Sequence, residues 1–121
     1  MSPRRWTDRG QDSLEAMAEI QSFTQDMDFG TFEIDAKTIK AVLLDFIIIG
    51  EAVHSIPDDV RAAHPEVPWH LMRAMRNRLV HVYFSVDPNI VWDTIQNDLP
   101  PLVEPLKRLL DAEEGMTDQQ C

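Results

Sequence analysis

A short run of polar residues near the middle of the chain combines groups that phosphodiester chemistry uses. Arg76, Asn77, His81 and Tyr83 lie within eight residues of one another. A guanidinium binds phosphate oxygens through two parallel hydrogen bonds, and an imidazole exchanges a proton near neutral pH. The run therefore predicts a site that acts on a phosphodiester. The alternative is structural: Arg76 forms a surface ion pair, His81 is half-buried, and Asn77 and Tyr83 tie a helix end to a loop.

The spacing of these residues indicates how a helix displays them. At about 100° per residue, Arg76 and Tyr83 share one face, whereas Asn77 and His81 share the neighbouring face. Arg76 and His81 then lie about 140° apart around the helix and about 7.5 Å apart along its axis. We therefore expect these two side chains to flank a groove and not to touch each other.

The rest of the chain predicts helices. Apolar residues recur every three to four positions, and neither sustained alternation nor an Asn-Gly or Asp-Gly hairpin signal is present. The predicted helices cover residues 6–27, 36–55, 57–64, 69–84 and 88–113, with a loop at 28–34 whose two Phe rings pack on the bundle. The sequence thus predicts an all-α fold, an antiparallel four-helix bundle with one short extra helix.

Single residues predict where these helices begin, weaken and break. Asp35 and Asp87 are predicted N-caps, since their carboxylates can accept hydrogen bonds from free backbone N–H groups. Gly10 is expected to weaken the first turn of the first helix. Pro100 and Pro101 lack backbone donors and are expected to bend or break the last helix near Leu99.

Composition predicts one domain of a soluble, cytoplasmic protein. The 121 residues are 44% hydrophobic and 26% charged, which suits a single domain at residues 1–114 with a disordered tail at 115–121. The longest apolar run, residues 46–49, is far shorter than the ~20 residues of a membrane span, and no secretory signal is present. The single cysteine, Cys121, excludes an internal disulfide framework and a Cys-based zinc site.

Glu51 and His54 have the spacing of one half of a di-iron site on a helix. Such a site requires a second Glu-x-x-His pair and further glutamates, which the sequence lacks. No metal site is therefore predicted. Glu51 is expected to be a buried polar anchor or a contact near the groove.

The net charge of −10, from 11 basic and 21 acidic residues, disfavours nucleic acid as a partner if the total alone is considered. The distribution is uneven, because residues 67–86 contain Arg73, Arg76 and Arg78 and no acidic residue. An acidic body with one basic segment can bind a polyanion locally. The alternative is that the three arginines form an ordinary solvated helix face.

Several segments together resemble one known family. The run from Arg76 to Tyr83 matches the pattern Arg-x4-His-x-Tyr, with a polar residue after the arginine. Around it, in order and spacing, stand Ala41, Ile49-Gly50-Glu51-Ala52, Pro65-Glu66-Val67-Pro68-Trp69, and Val86-Asp87 with Trp92. Over residues 5–110 the chain resembles the HEPN superfamily and, within it, the HepT-like ribonuclease toxins.

The resemblance implies a metal-independent ribonuclease that needs no cofactor. It implies a homodimer acting on tRNA or mRNA, with the two motif helices facing each other across a shared cleft. His81 is then the general acid/base, Arg76 stabilises negative charge on phosphorus, and Asn77 orients His81 or the phosphate. Arg73 and Arg78 are further candidates for RNA binding, because two copies of them concentrate positive charge in the cleft.

The resemblance also implies a regulatory partner. HepT-like toxins are usually encoded beside a minimal nucleotidyltransferase antitoxin, which adds AMP to the motif tyrosine, here Tyr83. A bulky anionic group at this position would block the groove and neutralise Arg76. The alternatives are a phenol hydrogen-bonded at the helix end, a noncatalytic helical dimer that binds a nucleotidyltransferase or nucleotides, and a purely structural bundle.

Overall fold

The structure, a computed structural model, describes residues 5–82 and 87–119, with side chains at all of these positions except 76, 78–82 and 114–119. Within this part of the chain the elements are α1 (Trp6–Thr24), α2 (Phe29–Glu33), α3 (Ala36–Ser55), α4 (Asp58–Ala63), α5 (Trp69–Val82), α6 (Pro88–Asp93), a π-helical turn (Thr94–Asp98) and α7 (Pro100–Gln119). No strand occurs among the described residues, and the predicted all-α class is confirmed.

Aspartate side chains begin three of the helices. Asp28 and Asp35 each accept a hydrogen bond from the backbone N–H three residues later, at 2.8 and 3.0 Å, and Asp87 accepts one from the second residue after it at 3.0 Å. Each bond satisfies a donor that the first turn of a helix leaves unpaired. The predicted caps Asp35 and Asp87 are confirmed. The prediction of a loop at 28–34 is wrong, because the cap at Asp28 allows α2 to form.

The apolar faces of the long helices meet in one core. α3 packs along both α1 and α5, and α7 packs on α1. Fully buried side chains come from all four of these helices: Met17, Ile20, Phe46, Ile49, Met72, Leu102, Leu106 and Leu110. Burial of such a side chain contributes roughly 1.5–3 kcal/mol, so this core fixes the position of α5 against α3.

The rings of α2 pack on the bundle as predicted. The ring centroids of Phe32 and Trp92 lie 5.0 Å apart, and those of Phe29 and Trp92 lie 6.4 Å apart. Both pairs are tilted, which is a favoured arrangement for aromatic rings. The contact joins α2 to α6, two elements that are distant in the sequence.

Gly10 on α1 packs against the side chain of Leu110 on α7. A Cβ atom at this position would be 2.7 Å from Cδ2 of Leu110. Glycine therefore serves close packing between two helices here, and α1 is helical on both sides of it. The helix ends at Thr24, three residues before the predicted end.

The predicted break near Leu99 takes the form of a π-helical turn. The N–H of Leu99 donates to the carbonyl of Thr94 at 3.0 Å, which is the wider i to i−5 bond of a π-helix. Pro100 and Pro101 follow at once and have no N–H to continue the ordinary ladder. The last predicted helix is thus divided into α6 and α7.

The backbone of α7 is helical to Gln119, which extends into the segment from residue 115 that the sequence predicts to be disordered. An amphipathic helix that is already docked grows at low cost, because each added residue gains a hydrogen bond without a new nucleus. The domain limits at 1–114 stay a prediction. No helix in the described part of the chain is long and apolar enough to cross a membrane.

Asp45 is a buried carboxyl group on α3. The residue is 5% exposed, and its Oδ2 has no hydrogen-bond partner. Burial, and then the negative charge of Glu19 on α1, raises the pKa of Asp45 to about 6. The folded chain therefore holds this proton more tightly than the unfolded chain does.

We expect Asp45→Asn to stabilise the fold above neutral pH and to weaken its pH dependence. Because the folded pKa of about 6 exceeds the ordinary value of 3.8, the stability that protonation contributes is complete below about pH 3.8 and is lost as the pH rises through about 6. Each unit of this displacement corresponds to about 1.4 kcal/mol. Urea unfolding of both chains at about pH 5 and about pH 8 measures the effect, and equal wild-type stability at the two pH values would contradict it.

Candidate active site

The predicted site residues lie on and just beyond α5. Arg73, Arg76, Asn77, Arg78 and His81 all belong to this helix, whose backbone runs without interruption from Trp69 to Val82. The regular helix assumed for the 140° separation of Arg76 and His81 is therefore present. Tyr83 lies outside the described residues, as do the side chains of residues 76, 78 and 81.

Two described side chains mark the exposed face of α5. Arg73 and Asn77 are exposed and stand four residues apart in one row, whereas Met72 and Met75 are buried in the core. The register position of His81 is four residues after Asn77 in the same row. The helix contains no acidic residue, so its exposed face is basic and polar and suits a phosphate-bearing ligand.

The first residue of α5 is attached to α4. The indole N–H of Trp69 donates to the backbone carbonyls of Arg61 and His64, each at 3.1 Å. These carbonyls lie at the end of α4, where each also accepts a hydrogen bond from a backbone N–H, of His64 and Val67 respectively. The two hydrogen bonds hold the start of α5 in place. They therefore fix the position of the motif residues along the axis of this helix, relative to the rest of the bundle. Sequence reasoning missed this role of Trp69.

His64 joins the connection before α5 to α7. Its Nδ1 lies 3.2 Å from Oε1 of Glu66, and its Nε2 lies 3.6 Å from Oε1 of Glu113. The pKa of the Glu66 carboxyl lies below its usual range. The backbone N–H of Glu66 and then the side chain of His64 donate hydrogen bonds to this carboxyl and stabilise its charged form. The pairing of His64 with Glu113 has no signal in the sequence, because the two residues are far apart along the chain.

The neighbouring helix α3 carries the other polar candidates. Glu51 is half-buried and His54 is exposed, and α3 packs against α5. Among the residues described, no group of three His, Cys, Asp or Glu side chains is arranged to hold a metal ion. The expected role of Glu51 as an anchor or a contact near the groove stays a prediction.

Comparison with known proteins assigns the family. The family described as "Ribonuclease HepT-like" matches residues 13–109, which include all of α3 and α5 and the run from Arg76 to Tyr83. No solved structure matches the chain significantly.

Two relatives illustrate the similarity. "Probable ribonuclease HepT" of Thermococcus cleftensis is 41% identical over 99 residues, which cover 82% of this chain and 90% of the relative. "Putative RNase MJ0127" of Methanocaldococcus jannaschii is 39% identical over 104 residues, which cover 86% of each chain. The chain belongs to the HepT-like ribonuclease family of the HEPN superfamily.

Proposed function

We propose that this chain is a metal-independent ribonuclease and the toxin of a toxin–antitoxin pair, with tRNA or mRNA as its substrate. The proposal is carried by one observation: Arg76, Asn77 and His81 occupy the motif positions on a continuous helix with a basic exposed face. The relatives named as ribonucleases cover most of the chain and support the same activity.

The three motif residues have distinct roles in strand cleavage. His81 takes the proton from the 2′-hydroxyl, whose oxygen forms a bond to phosphorus, or returns a proton to the leaving 5′-oxygen as its bond to phosphorus breaks. Arg76 stabilises the additional negative charge on the phosphate oxygens in the transition state. Asn77 orients the phosphate or His81.

The working unit in this proposal is a homodimer whose α5 helices face a common cleft. Two copies of Arg73, Arg76 and Arg78 then concentrate positive charge within one groove. This local charge attracts RNA even though the net charge of each chain is −10. The acidic remainder of the surface limits nonspecific RNA binding.

We propose further that the chain is controlled by AMP addition. A minimal nucleotidyltransferase, acting as the antitoxin, transfers AMP from ATP to the hydroxyl of Tyr83 and releases pyrophosphate. Tyr83 follows Arg76 by seven residues in the sequence, and a spacing of seven puts two residues on the same face wherever a regular helix carries both. The added phosphate and nucleoside then occupy the groove and neutralise Arg76.

His81→Ala is expected to lower RNA cleavage by ~10²–10⁴-fold, since it removes the general acid/base. The measurement is cleavage of total RNA by the purified chain, with growth arrest on expression as a second readout. His70→Ala is the matched control, because His70 is an exposed histidine near the start of the same helix. Cleavage should persist in EDTA. Growth arrest that survives in His81→Ala, or cleavage that EDTA abolishes, would contradict the mechanism.

Tyr83 is expected to gain AMP when the chain is incubated with ATP and a nucleotidyltransferase encoded next to its gene. Intact-mass spectrometry of the His81→Ala chain detects the added mass without toxicity during expression. Tyr83→Phe lacks the accepting hydroxyl and should show no addition. An unchanged mass of the tyrosine-containing chain would remove this regulation from the proposal and leave the ribonuclease itself untouched.

A further inference from the structure

Trp69 restrains α5 against sliding along its own axis. Its indole N–H donates to the carbonyls of Arg61 and His64, each at 3.1 Å. Apolar packing against α3 has no preferred direction, whereas a hydrogen bond weakens steeply when its geometry changes. A shift of α5 along its axis therefore has to break these two bonds. The register position of His81 lies about 18 Å further along the same continuous helix, so it moves with Trp69.

The acceptors of these bonds lie at the end of an element that has little apolar anchorage. The helix α4, which the structure describes throughout, buries none of its residues. Val67, just after α4, is buried, and its N–H donates to the carbonyl of His64 at 3.2 Å. The apolar contact of Val67 keeps this turn on the bundle but does not fix its orientation. A directional contact is therefore needed to orient the two carbonyls towards Trp69.

The side chain of His64 supplies directional contacts at this turn. Its Nδ1 lies 3.2 Å from Oε1 of Glu66, which is within hydrogen-bond distance. Its Nε2 lies 3.6 Å from Oε1 of Glu113, which is the distance of an ion pair when the imidazole is protonated. Glu113 stands one turn after Leu109 on α7, and Leu109 is buried in the core. The ring of His64 thus connects the end of α4 to a helix that the core holds.

We propose that His64 is a positioning residue of the ribonuclease and acts through Trp69. The contacts of its ring orient its own backbone carbonyl, this carbonyl holds the indole of Trp69, and the indole sets the axial position of the motif residues on α5. The inference rests on the ribonuclease activity proposed above. It adds a residue outside the motif on which the rate of cleavage depends, although this residue does not contact RNA.

The effect of His64 is expected on the chemical step and not on RNA binding. A misplacement of about 1 Å between reacting groups can lower a rate by ~10²-fold. The attraction of RNA depends mainly on charge, as from Arg73, and charge acts over longer distances, so binding tolerates such a shift. Loss of the His64 ring is therefore expected to lower kcat by ~10-fold or more and to change KM by less than about twofold.

A double-mutant cycle between His64 and Trp69 tests the connection. His64→Ala removes the ring and keeps the carbonyl, whereas Trp69→Phe keeps an aromatic ring and removes the N–H. Each change alone is expected to lower kcat for RNA cleavage by ~10-fold. If His64 acts through Trp69, the double variant is no slower than Trp69→Phe alone, because the bond that His64 supports is already absent. Two reductions that multiply would overturn the proposal.

Conservative variants separate the two contacts of the ring. His64→Asn keeps a donor near the position of Nδ1, and His64→Gln keeps one near that of Nε2. Because the contact with Glu66 is the shorter, His64→Asn is expected to restore more of kcat than His64→Gln does. The matched control is His70→Ala, an exposed histidine in the first turn of α5, which should leave kcat and KM unchanged. An equal loss of kcat in all three His64 variants would overturn the role of the ring contacts.

Exchange of the indole proton of Trp69 measures the connection without RNA. The chain contains three tryptophans, so its NMR spectrum has three indole N–H signals, and the signal that Trp69→Phe lacks belongs to Trp69. Exchange of this proton with solvent is expected to be ~10-fold faster in His64→Ala than in the wild-type chain, since its acceptors are held less firmly. Circular dichroism verifies that every variant is folded at the temperature of the measurement.

The outcomes distinguish this inference from the proposed function. Faster exchange in His64→Ala, together with a loss of kcat that does not add to that of Trp69→Phe, supports the inference. Unchanged exchange in a folded His64→Ala overturns the connection, while His81-dependent cleavage leaves the ribonuclease proposal standing. A wild-type chain that cleaves no RNA overturns the proposed function and this inference with it, whatever the exchange rate.

Discussion

Burial of α3 on two sides is the constraint on which the rest of the structure depends. Its core residues run from Ile39 to Val53, and both α1 and α5 pack along it. Apolar packing therefore sets the position of α5 and of every motif residue on it. The side chains that make this packing take no part in the proposed cleavage reaction. The bonds from Trp69 to the end of α4 add a polar constraint at the start of the same helix. The helix that carries the candidate site is thus held along its buried face by the apolar core and at its first residue by the bonds of Trp69.

Most of the fold could be predicted because its signals are local. The caps at Asp35 and Asp87 and the prolines after Leu99 each act on backbone donors within a few residues, so the sequence alone shows them. Gly10 differs, because its role depends on Leu110 at the far end of the chain. The prolines predict the break near Leu99, but not its π-helical form, in which the N–H of Leu99 donates to the carbonyl of Thr94.

The candidate site likewise has some features that the sequence predicts and others that only the fold shows. The spacing of Arg76, Asn77 and His81 could be evaluated from the sequence because one continuous helix carries all three. The supports of that helix could not. The contact of His64 with Glu113 joins two segments that no periodicity relates, and only the packing of α7 brings them together. Sequence spacing thus predicts chemistry within an element, whereas the positioning of that element becomes visible only in the fold.

The distribution of charge over the surface is consistent with RNA binding, although the chain as a whole is acidic. At physiological ionic strength, screening limits the range over which exposed charges interact to about 8 Å. The total charge of −10 therefore acts only weakly on a phosphate in a groove farther away than this. Exposed acids such as Glu15 and Glu19 belong to α1, whereas the exposed face of α5 has no acid. A phosphate at Arg73 and Asn77 therefore meets local positive charge first. A basic face on one helix of an acidic chain thus supports the local attraction of RNA proposed above, although the chain as a whole is acidic.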